Sequence, residues 1–157
     1  MPMTDFVVRE AVLPNLTATT KEAVIREIVD GLRATGYVQA DVAEEIVRAI
    51  IKREQLGSTG IGRGIAIPHA KHPSVDRLTG AVALSKSGVP FESIDGEPVY
   101  VFVLLISPQD RPGDHLRALE NVVRHMRDDN FVKALRAAED RDAVWKLLEE
   151  PPGGWDR

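Results

Sequence analysis

The chain has 157 residues, of which 43% are hydrophobic and 28% charged, with a formal net charge of −4 and no cysteine. This length is typical of one domain with its own core, and the lack of cysteine excludes disulfides and thiolate chemistry. The acidic balance argues against nucleic-acid binding. The N-terminus lacks the pattern of a signal peptide, and the longest apolar run, Val99–Ile106, is far shorter than the roughly 20 residues of a membrane-spanning helix. We therefore expect a cytoplasmic protein that does not insert into a membrane.

Apolar residues at helical spacing predict two helices in the first third of the chain. The first runs from Thr20 to Thr35, with Gly36 as its stop, and the second from Asp41 to Glu54. Arg53 falls in the last turn of the second helix, where the backbone dipole favours a cation.

Three apolar runs then predict strands, at Gly64–Pro68, Thr79–Lys86 and Val99–Ile106. The last run is apolar on both faces, which is typical of a central strand covered on both sides. Pro68 favours extended geometry in the residue before it, so the first strand is predicted to run to His69 and to stop there.

Three helices are predicted after the strands. The first begins near Asp114, its predicted N-cap, and two shorter helices are predicted to be capped by Asn130 and Asp140. Helices before and after a group of strands predict an α/β (α+β) fold, with a sheet flanked by helices on both faces. We expect residues 1–150 to form a single domain and the proline- and glycine-rich residues 151–157 to form a loose tail.

The residue most indicative of function is His69, which follows a glycine-rich loop and an apolar run. Ligand sites gather at strand ends in α/β sheets, and a neutral imidazole is an available nucleophile near pH 7. Arg53 offers a planar set of donors that suits a phosphoryl group, and His115 stands at a helix start, where anions are favoured. The competing interpretation is a histidine that bonds a loop, a surface arginine and a solvent-facing histidine.

Other polar residues in the glycine loop are secondary candidates. Thr59 and Ser58 offer hydroxyls near His69, and we count Thr59 with Arg53 and His115 as phosphoryl-stabilising. Arg63 could neutralise a phosphoryl group in the same way as Arg53. The glycines match neither a Walker A loop nor a dinucleotide-binding pattern, so they predict a tight, close-packed turn.

A zinc site is the competing chemistry. His69 and His72 have a spacing that could begin one, with His115 or His125 completing it. No His-Glu-x-x-His run is present and no carboxylate has a recognised metal-ligand spacing. We therefore expect no metal and no other cofactor, with His72 and His125 as surface residues.

The segment from Arg53 to His69 reads Arg-Glu-Gln-Leu-Gly-Ser-Thr-Gly-Ile-Gly-Arg-Gly-Ile-Ala-Ile-Pro-His. It resembles the phosphorylation-site signature of enzyme IIA of the phosphoenolpyruvate-dependent sugar phosphotransferase system, fructose–mannitol type, which includes the nitrogen-regulatory IIA proteins. Phe91–Val99 resembles the stretch before that family's central strand, and His115 its second histidine motif. The similarity spans about residues 12–148, and Arg63 departs from the polar or acidic residue that relatives often carry.

The resemblance implies a mixed five-stranded sheet flanked by helices, with His69 phosphorylated and supported by Arg53 and His115. The implied phosphoryl donor is the carrier protein HPr or its nitrogen-branch equivalent, and the implied acceptor is the IIB component of a sugar permease. The alternative is a nitrogen-regulatory protein, whose phosphorylation state controls regulatory targets without a sugar route. A metallohydrolase is a third, less favoured interpretation.

Overall fold

A computed structural model describes residues 2–151, which form five α-helices around an open, mixed five-stranded sheet. The predicted tail lies outside the described residues, apart from Pro151. The helices are α1 Lys21–Ala34, α2 Ala43–Gln55, α3 Pro112–Met126, α4 Asp129–Ala137 and α5 Arg141–Glu149. The strands are β1 Gly60–Gly62, β2 Ile65–Ala66, β3 His69–Lys71, β4 Thr79–Val89 and β5 Val99–Ser107.

Strand β5 is the centre of the sheet. It pairs antiparallel with β4 along one edge, and parallel with β2 and then β3 along the other. β1 pairs antiparallel with β2. The predicted mixed sheet of five strands is confirmed, as is the central place of the most apolar run.

Alternate residues of β5 enter two separate cores. Phe102 and Leu104 pack on one face with the apolar sides of α1 and α2. Val101 and Val103 pack on the opposite face with residues of α3, α4 and α5. Both faces are covered, which agrees with the apolar run of residues 101–106, and the prediction of helices on both sides of the sheet is confirmed.

Thr20 and Asp140 cap helices in the structure, and of these two Asp140 was predicted as a cap. Thr20 caps α1, where its hydroxyl accepts from the backbone N–H of Ala23 at 3.3 Å. Asp140 caps α5, where its carboxylate accepts from Ala143 N–H at 2.7 Å. Each cap satisfies a backbone donor that the first helical turn leaves unpaired.

The other two predicted caps are wrong. α3 begins at Pro112, since proline is favoured in the first turn of a helix, and this leaves Asp114 inside that turn and Arg111 at the cap position. α4 is capped by Asp128 rather than Asn130, because the Asp128 carboxylate accepts from the N–H of Asn130 at 2.8 Å.

The prediction that the first strand stops at His69 is also wrong. β2 ends before Ile67 and Pro68, and β3 begins at His69 in unchanged register with β5 and continues to Lys71. Pro68 has no N–H to donate to a ladder, which interrupts the strand without redirecting it. His69 therefore begins a strand segment instead of ending one.

The outer edge of β4 is covered by the N-terminal segment. Val8 donates to Gly80 O at 2.8 Å, and Leu84 donates to Leu13 O at 2.9 Å. A covered edge does not offer unpaired backbone groups to another chain.

Within residues 2–151, none of the helices combines the length and apolar character that crossing a membrane requires.

Candidate functional site

A cleft of about 430 Å³ lies at β3, between α2 and α3. Its lining residues are Ala49, Lys52 and Arg53 from α2, His69, Ala70 and Lys71 from β3, and His115 and Leu119 from α3. Three of the four predicted site residues, Arg53, His69 and His115, are therefore brought together. All the titratable groups of the lining are basic, so the cleft suits an anion.

The backbone holds the half-buried ring of His69. Its Nδ1 lies 2.7 Å from the carbonyl oxygen of Ile67, which can only accept, so Nδ1 carries a proton and donates it. Burial lowers the pKa of His69 below 6.5, and the charges of Arg53 and Lys71 lower it further, against the Ile67 bond and the Glu54 charge, which raise it. The ring is therefore neutral at pH 7, with its lone pair on Nε2.

His115 lies beside His69 in the first turn of α3. The two ring centroids are 5.2 Å apart, and His115 is only 7% exposed, which rules out the solvent-facing interpretation. Burial lowers the pKa of His115 to about 4, helped by the charge of Lys71 and by the charge that His69 carries when it is protonated in acid. Its Nδ1 shares a short hydrogen bond with the hydroxyl of Ser107.

Two cations flank His69. Arg53 stands in the last turn of α2, as predicted, and its Nη1 donates to Gly57 O at 2.7 Å, which uses one of five guanidinium N–H donors. Lys71 follows His69 by two residues, so both lie on the same face of β3. Lys71 was not predicted because the strand was expected to end at His69. The two-residue period of a continued strand is the signal that would have found it.

Thr59 does not line the cleft. It is 5% exposed, its N–H donates to the buried carboxylate of Glu54 at 3.1 Å, and its hydroxyl donates to the same carboxylate. Lys21 also donates to Glu54, at 3.0 Å. The carbonyl of Thr59 accepts from the N–H of Ile67 at 3.1 Å. Glu54 therefore holds Thr59 in place, and Thr59 in turn bonds to Ile67, whose carbonyl accepts from the His69 ring.

Arg63 is placed on a different surface from the cleft. Its guanidinium pairs with Asp129 of α4, and its backbone N–H donates to Asp95 at 3.0 Å. The glycine loop around it is close-packed, as predicted, since a Cβ on Gly60 would lie 2.9 Å from atoms of Ser93.

The histidines do not assemble a metal centre in the described part of the chain. No three or more His, Asp or Glu side chains of residues 2–151 are grouped so as to hold an ion. The prediction of a surface position is wrong for His125, which is 1% exposed and has its ring centroid 5.8 Å from that of Phe131, because α4 packs against the end of α3. His72 is half-buried, with Nδ1 2.6 Å from Ser74 Oγ.

The fold and the cleft define a single-domain mixed α/β protein with a histidine pair among cations. The family model described as "Phosphoenolpyruvate-dependent sugar phosphotransferase system, EIIA 2" matches residues 5–150. The chain belongs to this family, which confirms the resemblance found in the sequence.

Its relatives include both sugar-transport and nitrogen-regulatory proteins. The nitrogen regulatory protein of Bradyrhizobium diazoefficiens is 38% identical over 153 residues, which are 97% of this chain and 97% of the relative. The PTS system fructose-specific EIIABC component of Bacillus subtilis is 34% identical over 150 residues, which are 96% of this chain and 23% of that longer protein. The crystal structure of nitrogen regulatory protein IIA-Ntr from Neisseria meningitidis has a TM-score of 0.80 and 28% identity, with 92% of this chain and 97% of that chain covered.

Proposed function

We propose that this chain is a phosphocarrier that accepts a phosphoryl group on Nε2 of His69 and passes it to a second protein. The observation that carries the proposal is the 2.7 Å bond from Nδ1 to the Ile67 carbonyl. Because Nδ1 keeps its proton in that bond, the lone pair stays on Nε2, in a residue that lines a cationic cleft.

In the transfer, the Nε2 lone pair forms a P–N bond while the bond from phosphorus to the donor's histidine breaks. No proton has to leave His69. The imidazole gains positive charge as the bond forms, and its Nδ1–H then makes a stronger, charge-assisted bond to the Ile67 carbonyl. Phosphoryl transfer proceeds through a loose, in-line transition state, so positioning and charge account for most of the rate.

The other cleft residues supply charge and hydrogen bonds to the transferred group. Arg53 and Lys71 neutralise phosphoryl oxygens, and His115 donates a hydrogen bond from Nε2. Thr59 supports the site indirectly, since its hydroxyl is bound to Glu54 and its carbonyl holds the segment before His69. The proposal involves no metal and no organic cofactor.

The proposed partners act in the cytoplasm. The donor is phosphorylated HPr or its nitrogen-branch equivalent, and the acceptor is a IIB component of a sugar permease. The fructose-specific relative in Bacillus subtilis supports this sugar route. The alternative is a regulatory protein whose phosphorylation state controls other proteins, and it is supported by the Bradyrhizobium relative, which matches over nearly its whole length.

Intact-mass spectrometry tests the phosphocarrier role. The protein is incubated with phosphoenolpyruvate, enzyme I and HPr or its nitrogen-branch equivalent, and we expect one acid-labile phosphate on the parent and none on His69→Gln. His72→Gln is the matched control, because this histidine lies outside the cleft lining, and it should be phosphorylated as the parent is. If His69→Gln is also phosphorylated to the parental extent, the assignment is wrong.

A second experiment separates the two branches. The phosphorylated protein is mixed with a purified IIB domain of the fructose type, and the phosphate on each protein is followed over time. Rapid transfer to IIB supports the sugar route. Retention of the phosphate, together with faster loading from the nitrogen-branch donor than from HPr, supports the regulatory alternative.

A further inference from the structure

We propose that Ser107 is a positioning residue that fixes the tautomer of His115, so that this ring presents an Nε2–H donor to the group carried by His69. The inference rests on the proposed function, because it gives His115 the task of a donor. Ser107 is the last residue of β5 and is fully buried.

His115 needs such a residue because its ring is neutral. With its pKa lowered to about 4, the ring carries one proton near pH 7, on either Nδ1 or Nε2. Only the Nε2–H tautomer can donate from Nε2 while Nδ1 faces Ser107. The other tautomer would present a lone pair to the phosphoryl oxygens, which are themselves acceptors.

The hydrogen bonding of Ser107 selects between the two tautomers. Nδ1 of His115 is the only hydrogen-bond partner that the described residues provide for Ser107 Oγ. If the hydroxyl donates to Nδ1, both groups are satisfied. If Nδ1–H donates instead, the hydroxyl hydrogen is buried without an acceptor, which is unfavourable.

The backbone of Ser107 is fixed to the strand that carries His69. Ser107 lies opposite Lys71 in the parallel pairing of β3 with β5, and its carbonyl accepts from the N–H of His72 at 3.0 Å. The hydroxyl that orients His115 and the histidine proposed to be phosphorylated therefore share one rigid frame, in which a donor is held ready before the reaction.

Nuclear magnetic resonance of protein labelled with ¹⁵N-histidine tests the proposal. Long-range ¹H–¹⁵N correlations distinguish a protonated from an unprotonated ring nitrogen. For His115 of the parent at pH 7 we expect a protonated Nε2 and an unprotonated, hydrogen-bonded Nδ1. Ser107→Ala should give the other tautomer or a mixture, and Ser107→Thr, which keeps a hydroxyl, should restore the parental pattern. A protonated Nδ1 in the parent, or an unchanged tautomer in Ser107→Ala, overturns the inference.

Rates of phosphorylation provide a second readout. Ser107→Ala should load phosphate about tenfold more slowly than the parent, the loss expected for one misdirected hydrogen bond. Ser85→Ala is the control, because Ser85 is also buried but accepts from Gly88 N–H in β4, and its rate should be unchanged. Failure of the proposed function and failure of this inference give different results. A parent that takes no phosphate on His69 contradicts the proposed function, whereas the tautomer of His115 tests the role of Ser107 whether or not phosphate is taken up.

Discussion

At the scale of single residues, the cations around His69 have two consistent effects. Arg53 and Lys71 lower the pKa of His69 and so favour the neutral ring, the form that has a free lone pair. In the proposed product, the same charges compensate the phosphoryl oxygens. The cleft therefore favours both the reactive form of the free protein and the charged form of the phosphoprotein.

Replacing Lys71 with Gln tests how the charge of Lys71, as distinct from burial, affects the pKa of His69. Because a nearby positive charge is removed, the pKa of His69 should rise toward its ordinary value. The rate of phosphorylation should fall, and it should fall most at acidic pH, where more of the ring is protonated. A ¹H–¹⁵N titration of His69 measures the pKa. Lys52→Gln is the control, because Lys52 lines the same cleft but is not among the groups that shift the pKa of His69. An equal change in the His69 pKa in both variants would contradict the role of Lys71.

His115 should make the fold sensitive to acid. Folded His115 takes up its proton near pH 4, whereas an unfolded histidine does so near 6.5, so between these values the unfolded state binds more protons. Its contribution is fully present above pH 6.5 and is lost as the pH falls to 4, by up to about 3 kcal/mol in the free energy of unfolding. Urea unfolding of the parent and of His115→Gln from pH 7.5 to 4 measures this loss. Equal pH dependence in both proteins would show that His115 does not contribute.

At the scale of elements, a chain of hydrogen bonds connects α2 to the nucleophile. Glu54 accepts from Thr59, the Thr59 carbonyl accepts from Ile67, and the Ile67 carbonyl accepts from the His69 ring. Ile67 lies in the break between β2 and β3, where its N–H bonds to Thr59, the residue before β1, and its carbonyl accepts from the His69 ring. The break in the strand is thus part of how His69 is positioned.

Glu54→Ala should disturb both stability and rate. The change leaves the Thr59 N–H and hydroxyl without their acceptor and removes one of the two carboxylates that pair with Lys21, at a cost of about 2–3 kcal/mol in the free energy of unfolding. Phosphorylation should slow because the His69 ring loses its support. Glu45→Ala, on the exposed side of the same helix, is the control. Parental stability and rate in Glu54→Ala would contradict the role of this chain of bonds.

The helices could be predicted from sequence because each buries one apolar side, and the predicted start and end of α1 differ from the structure by one residue. The start of α3 was predictable from Pro112, since proline is favoured in a first helical turn. The cap of α4 was not, since Asp128, Asp129 and Asn130 all have the chemistry of a cap and only the packed helix selects one. β1 and β3 have three residues each, which is too few for a periodic pattern. β1 pairs with the adjacent two-residue β2, and β3 pairs with β5, far along the chain.

The candidate site was predictable to the extent that charge and sequence position determine it. Arg53, His69 and His115 do line one cleft. The position of Thr59 away from the cleft was not predictable. Its hydroxyl bonds to Glu54, and only the folded structure shows that this carboxylate is buried beside it. Ser107 was overlooked as well, and the available signal was a hydroxyl residue directly after an apolar strand.

At the scale of the whole molecule, β5 contributes residues to both cores, so we expect them to unfold as one cooperative unit. Phe102→Ala should lower the free energy of unfolding by about 3–5 kcal/mol, because a fully buried ring that packs edge-on against Phe91 is lost. Circular dichroism and tryptophan fluorescence should follow the same single urea transition, although Trp145 packs against the core on the other face. Two separated transitions would contradict a single unit.

The first measurement to make is which nitrogen of the His69 ring carries the phosphate, because the proposed phosphocarrier role depends on it. Phosphorus–nitrogen couplings in ¹⁵N-histidine-labelled phosphoprotein identify the bonded nitrogen. We expect phosphorus on Nε2 and a proton on Nδ1, held by the Ile67 carbonyl. Phosphorus on Nδ1 of His69, or on any other residue, would contradict it.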